Sequence, residues 1–125
     1  MLSTKTFPQE YIDDGRAFVA VRLAAVRDAG GAPELLDALV LALDHWFVHR
    51  MRGAEGKDGN PLNEVRMLAA SIERHGGVLT ADSTITYRPE RAVLGLAIGE
   101  EILLDVAAFE RLAASCFAEI ETRFT

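Results

Sequence analysis

The chain has 125 residues, 50% of them hydrophobic and 26% charged, with a formal net charge of −6 and a pI near 5.0. That length suits a single domain over 1–125, large enough to bury a core without staples. The acidic balance argues against a nucleic-acid partner, which needs a basic face, and no apolar run approaches the ~20 residues of a membrane span.

The first predicted helix runs from about Pro8 to Arg27. Its apolar stripe is Ile12, Val19, Leu23 and Val26, and Gly30-Gly31 stops it. The second starts at Pro33, with Glu34 and Asp37 near its positive end, and is expected to run to Met51 or Arg52. Leu36, Leu39, Val40, Leu43, Phe47 and Met51 form its main stripe, while Leu41 and Val48 lie on a second side and Trp46 widens the first. A helix that apolar is either central or covered by another subunit. The expectation is therefore a homodimer through the 33–52 helix.

A third helix begins at Asn60 as N-cap, with Pro61 at its first position. Leu62, Val65, Ala69 and Ile72 make its core face, and Gly76-Gly77 ends it. The period then changes. Thr84-Ile85-Thr86-Tyr87 alternates and Pro89 closes the run. Val93–Ile98 and Glu101–Leu104 flank Gly99-Glu100, which reads as a hairpin turn. The last helix starts at Asp105, with Leu104 and Phe109 at staple positions and a stripe of Phe109, Leu112, Cys116, Phe117, Ile120 and Phe124. The predicted class is α+β: three helices, a small antiparallel sheet or β-hairpin, then a C-terminal helix.

Cys116 is the only cysteine, so no intrachain disulfide forms. A lone thiol on an apolar stripe reads as a small buried hydrophobe in a reducing cytoplasm. The N-terminal segment turns acidic without an apolar run, unlike a secretory leader.

Polar chemistry concentrates in residues 45–66, HWFVHRMRGAEGKDGNPLNEVR. His45 and His49 stand four apart, on one face of the predicted helix. Two imidazoles so spaced can chelate a transition metal such as Zn, Ni, Cu or Fe, with Glu64 as candidate third ligand. The metalloprotease pattern needs Glu directly after the first His, and Trp46 stands there. No cofactor is predicted; a metal is the alternative.

The glycine-rich run from Gly53 to Asn60 leads straight into the third helix. Arg50, Arg52, Lys57, Asn60, Asn63 and Arg66 surround it in sequence, a set that could receive a small carboxylate or phosphate at that helix start. It is not a P-loop, because no Ser or Thr follows Lys57. Nor is it an EF-hand, because Leu62 occupies a place where an oxygen ligand belongs. Glu55 and Asp58 oppose an anion. Asn63 stands at the capping-box position toward Asn60. The functional expectation is a homo-oligomeric interaction or ligand-binding module, with a small metal-dependent enzyme or metal-binding protein using His45 and His49, or a small-anion binder at the start of the 60–75 helix, as alternatives. The small-molecule ligand has no signature in the sequence.

Overall fold

The computed structural model describes residues 3–125. Four long helices build it: α1 (Gln9–Asp28), α2 (Pro33–Trp46), α4 (Pro61–Arg74) and α5 (Val106–Arg123). A single turn, α3 (Arg52–Glu55), precedes α4, and a 3₁₀ turn spans Pro89–Arg91. α2 and α5 each pack on all three of the other long helices. The α2 stripe of Leu36, Leu39, Val40 and Leu43 is buried within the chain itself. Phe47, Phe109, Leu112, Ile120 and Phe124 join it in one continuous apolar core. Burial of each such side chain is worth about 1.5–3 kcal/mol.

The antiparallel sheet expected between residues 84 and 104 does not form. The fold is all-α rather than α+β. Among the described residues there is no strand, only three isolated bridges: Thr4–Arg50, Asp58–Thr86 and Val78–Glu101. The reason lies in where the backbone finds partners. The Glu64 carboxylate accepts from the N–H groups of Val93 (2.8 Å) and Leu94 (3.0 Å). The Tyr87 hydroxyl donates to the carbonyl of Leu96. Side chains thus satisfy the groups that a hairpin ladder would have used. The turn does form: Glu100 N–H donates to Ala97 O at 3.0 Å, with Gly99 at φ +90°. Its second arm pairs instead with the end of α4's loop, where Ile102 N–H donates to Gly77 O and Leu79 N–H to Glu100 O.

α2 also ends earlier than its apolar pattern implies. Phe47 is its C-cap, and residues 47–49 turn away. The Arg50 guanidinium folds back to donate to the carbonyls of Phe47 (3.0 Å) and Asp44 (3.3 Å). A basic side chain that satisfies the last free carbonyls closes the helix. The chain then passes Thr4, whose N–H donates to His49 O and whose carbonyl accepts from Met51 N–H.

The other boundaries follow their signals. Asn60 caps α4, its Oδ1 accepting from Leu62 N–H (3.0 Å) and Asn63 N–H (3.2 Å). Asp105 caps α5 through Ala108 N–H at 2.7 Å, with Leu104 and Phe109 buried around it. Among the described residues no helix is long and apolar enough to cross a membrane.

Candidate functional site

The polar centre of the molecule is the Glu55 carboxylate, which is 0% exposed. The turn α3 carries it inward, where three arginines converge on its two oxygens. Arg66 binds both of them, at 2.9 Å each. Arg50 and Arg52 each take one. Arg50, itself buried, also reaches Asp44 Oδ1 at 2.8 Å. Burial works against the charge on Glu55, but the hydrogen bond from Arg66 and the charges of Arg50 and Arg66 outweigh it, so its carboxyl lies below the ordinary value. Burial likewise opposes the charge on Arg50, and Asp44 and Glu55 more than restore it.

Asparagines fix the loop that follows. Asn60 Nδ2 donates to Glu55 O (2.8 Å) and Asp58 Oδ1 (2.9 Å). Asn63 Nδ2 donates to Gly56 O (3.1 Å) and Asp58 O (2.7 Å), and its Oδ1 accepts from Arg52 at 2.8 Å. From the far end of the chain, Arg123 donates to Glu55 O at 2.9 Å. Thr86 N–H donates to Lys57 O at 2.7 Å. Gly59 lies so close to this segment that a Cβ there would stand 3.3 Å from Thr86 O. The 56–60 ridge is therefore held from three directions before any ligand arrives.

A cleft opens on each side of the ridge. One, of about 310 Å³, is lined by Arg52, Gly53, Gly56, Lys57 and Thr84. Arg52 Nη2 donates to Thr84 Oγ1 at 2.9 Å, and Thr84 donates onward to Asp82 at 2.6 Å. Those bonds from Thr84 hold the Asp82 carboxyl below its ordinary value. Lys57 is exposed, with no hydrogen bond or ion pair from its ammonium among the described residues. The other cleft, of about 320 Å³, holds Arg88, Arg91 and Arg123 with Asp58 and Glu119.

Of the residues singled out from sequence, Arg50, Arg52 and Arg66 meet on Glu55. Asn60 and Asn63 secure the loop, and Lys57 stands at its rim. Asn63 serves the loop carbonyls rather than closing a capping box. The N–H groups at the start of α4 are already occupied by Asn60.

His45, His49 and Glu64 stand apart. His45 lines a cleft between α2 and α4 with Arg66 and Glu73, and His49 lies beyond the helix end in an aromatic cleft with Phe7, Tyr11 and Trp46. Glu64 is buried under Val93 and Leu94, and burial raises its carboxyl above the ordinary value despite those two N–H bonds. Among the described residues no three His, Cys, Asp or Glu side chains group as metal ligands.

Thr84, Arg88, Arg91 and Arg123 carried no local signal. The contacts of Thr84 and Arg123 join distant positions, 32 residues apart for Arg52–Thr84 and 68 for Arg123–Glu55. No protein family, curated protein or solved structure matches the chain.

Proposed function

We propose that the chain is a ligand-binding module that takes a small anion, a phosphate or carboxylate group, in the cleft between Arg52, Lys57 and Thr84. One observation carries this reading. The unpartnered ammonium of Lys57 sits on a backbone pinned by Asn63 and Thr86, beside an Arg52 already oriented by Glu55, Asn63 and Thr84. Preorganisation of this kind lowers the ordering cost of binding. The donors are side chains beside α4, since Asn60 occupies that helix's own N–H groups. Of the nearby carboxylates, Asp82 is engaged by Thr84, and Glu55 by Arg50, Arg52 and Arg66.

Inorganic phosphate titrated into the protein should shift the amide resonances of residues 53–57 and 84. Lys57→Ala should weaken that binding about tenfold, the equivalent of ~1.4 kcal/mol, and leave the melting temperature unchanged. Phosphate that binds the variant as well as the wild type would overturn the assignment.

A second reading, self-association, has its own support. Leu35, 45% exposed, lines an apolar cleft between α1 and α2 with Ala25 and Ala38, and Val21 on α1 is 65% exposed. Trp46 does not contribute to that face, because it packs within the chain against Tyr11 and Phe18. A reducing cytoplasmic setting belongs to the same proposal. Cys116 is buried and its thiol is pushed up to about 12 by that burial, so nothing about it asks for an oxidising compartment.

A further inference from the structure

We infer that the cleft on the far side of the ridge is a second anion subsite. The module's ligand is then a small molecule with two anionic groups, one in each cleft. This rests on the reading of the Lys57 cleft above and extends it.

The second cleft is built by the 3₁₀ turn. In such a turn residues i and i+3 eclipse each other. Arg88 caps the turn and Arg91 ends it, with Arg91 N–H donating to Arg88 O at 3.0 Å. Both side chains consequently line the same cleft. Neither is committed. Arg91 has no ion pair among the described residues, and Arg88 has only Glu90 at 3.9 Å, with both partners exposed. The carboxylates that share the cleft, Asp58 and Glu119, are both engaged by Arg123. Arg123 is in turn anchored on Glu55 O, which ties this wall to the same buried centre that orients Arg52. Two exposed guanidiniums that line one cleft, Arg88 with only its long contact to Glu90, suit a phosphoryl or carboxylate group, which accepts forked hydrogen bonds.

The two clefts adjoin consecutive residues of the ridge. Lys57 faces one cleft, and Asp58, Gly59 and Asn60 line the other. Three residues of extended chain span at most about 10 Å of backbone, and the Lys57, Arg88 and Arg91 side chains add their own reach to that. Two anionic groups that far apart on one flexible molecule would occupy both clefts at once. The second contact is then intramolecular, and affinity rises without any new kind of interaction.

The probes are inorganic phosphate and hexane-1,6-diol bisphosphate, measured by calorimetry on the full chain. The bisphosphate should bind at least about tenfold more tightly than phosphate. The double variant Arg88→Ala/Arg91→Ala should erase that advantage and leave phosphate binding at the Lys57 cleft, followed by the amide shifts of residues 53–57 and 84, unchanged. Both side chains are exposed, so the variant should fold, and its circular dichroism and melting temperature verify that. Lys57→Ala should weaken both ligands. A bisphosphate no tighter than phosphate, or one indifferent to the Arg88/Arg91 variant, overturns the second subsite and leaves the first standing. Phosphate that fails to bind the wild type at all removes the first reading, and this one with it.

Discussion

Glu55 shows how one residue can decide both stability and site geometry. Its carboxylate is surrounded by Arg50, Arg52 and Arg66, and its carbonyl receives Asn60 and Arg123. Desolvating these charges is costly, and only their mutual contact offsets it. Glu55→Gln keeps the shape but leaves Arg50 buried with less compensation. It should cost about 3–5 kcal/mol in urea unfolding. The pH dependence has a definite sign. A carboxyl below its ordinary value of 4.5 contributes stability that is present above that value and lost as pH falls through the folded-state value. The wild type should therefore lose stability in acid, and Glu55→Gln should lack that part of the acid limb. An unchanged acid limb in the variant would show that Glu55 is not ionised in the native state.

At the scale of elements, two contacts hold the parts together. The first is between α1 and α2. Trp46 Nε1 donates to Tyr11 O at 3.1 Å, and the Tyr11 hydroxyl donates to Trp46 O at 2.5 Å. Gly15 makes room for the indole: a Cβ there would lie 2.5 Å from Trp46 Nε1. Gly15→Ala gains about 1 kcal/mol of helix propensity, but overpacking costs about 1–3 kcal/mol. The net effect should be destabilising, with a red-shifted Trp46 fluorescence as the indole is displaced. The second contact is Glu64 beneath residues 93 and 94. Glu64→Ala strands those N–H groups and should cost about 2 kcal/mol. Faster hydrogen exchange confined to residues 92–98 is the expected readout, and uniform exchange across the chain would count against it.

These same contacts explain what the sequence could show. Caps and periodic stripes are local, so Asn60, Pro61 and Asp105 mark α4 and α5 where the structure has them. The alternation at 84–87 is also real: Ile85 is buried between exposed Thr84 and Thr86. Alternation reports which side faces the core, not which backbone lies alongside, and here Thr86 meets the loop backbone at Lys57 and Asp58 rather than a strand. The end of α2 was hidden for a related reason. Phe47 and Met51 continue the apolar pattern, while the signal to stop is a guanidinium six residues from Asp44. At the site, the arginines stood out in one short segment. Glu55 looked like an obstacle to an anion, because nothing local shows that three arginines share it.

For the whole molecule, the exposed α1/α2 face is the surface that a second copy of the chain would cover. The buried stripe of α2 is satisfied inside the chain, which narrows any interface from the full 33–52 segment to Leu35, Ala38 and the facing Arg22 and Ala25. The Arg22 guanidinium lies 3.5 Å above the Phe18 ring, so its stem extends the apolar surface. Light scattering should return about twice 13.6 kDa at high micromolar concentration. Leu35→Lys should restore the single-chain mass without unfolding, because Leu35 is already exposed and a charge there costs only when a partner covers it. Salt separates this association from anion binding. Each copy carries −6, so dimerisation opposes like charges and should strengthen as salt screens them. Phosphate at Lys57 is an attraction between opposite charges and should weaken under the same change. A wild-type chain that remains at 13.6 kDa in both low and high salt would remove the dimer and leave the two clefts to account for the function alone.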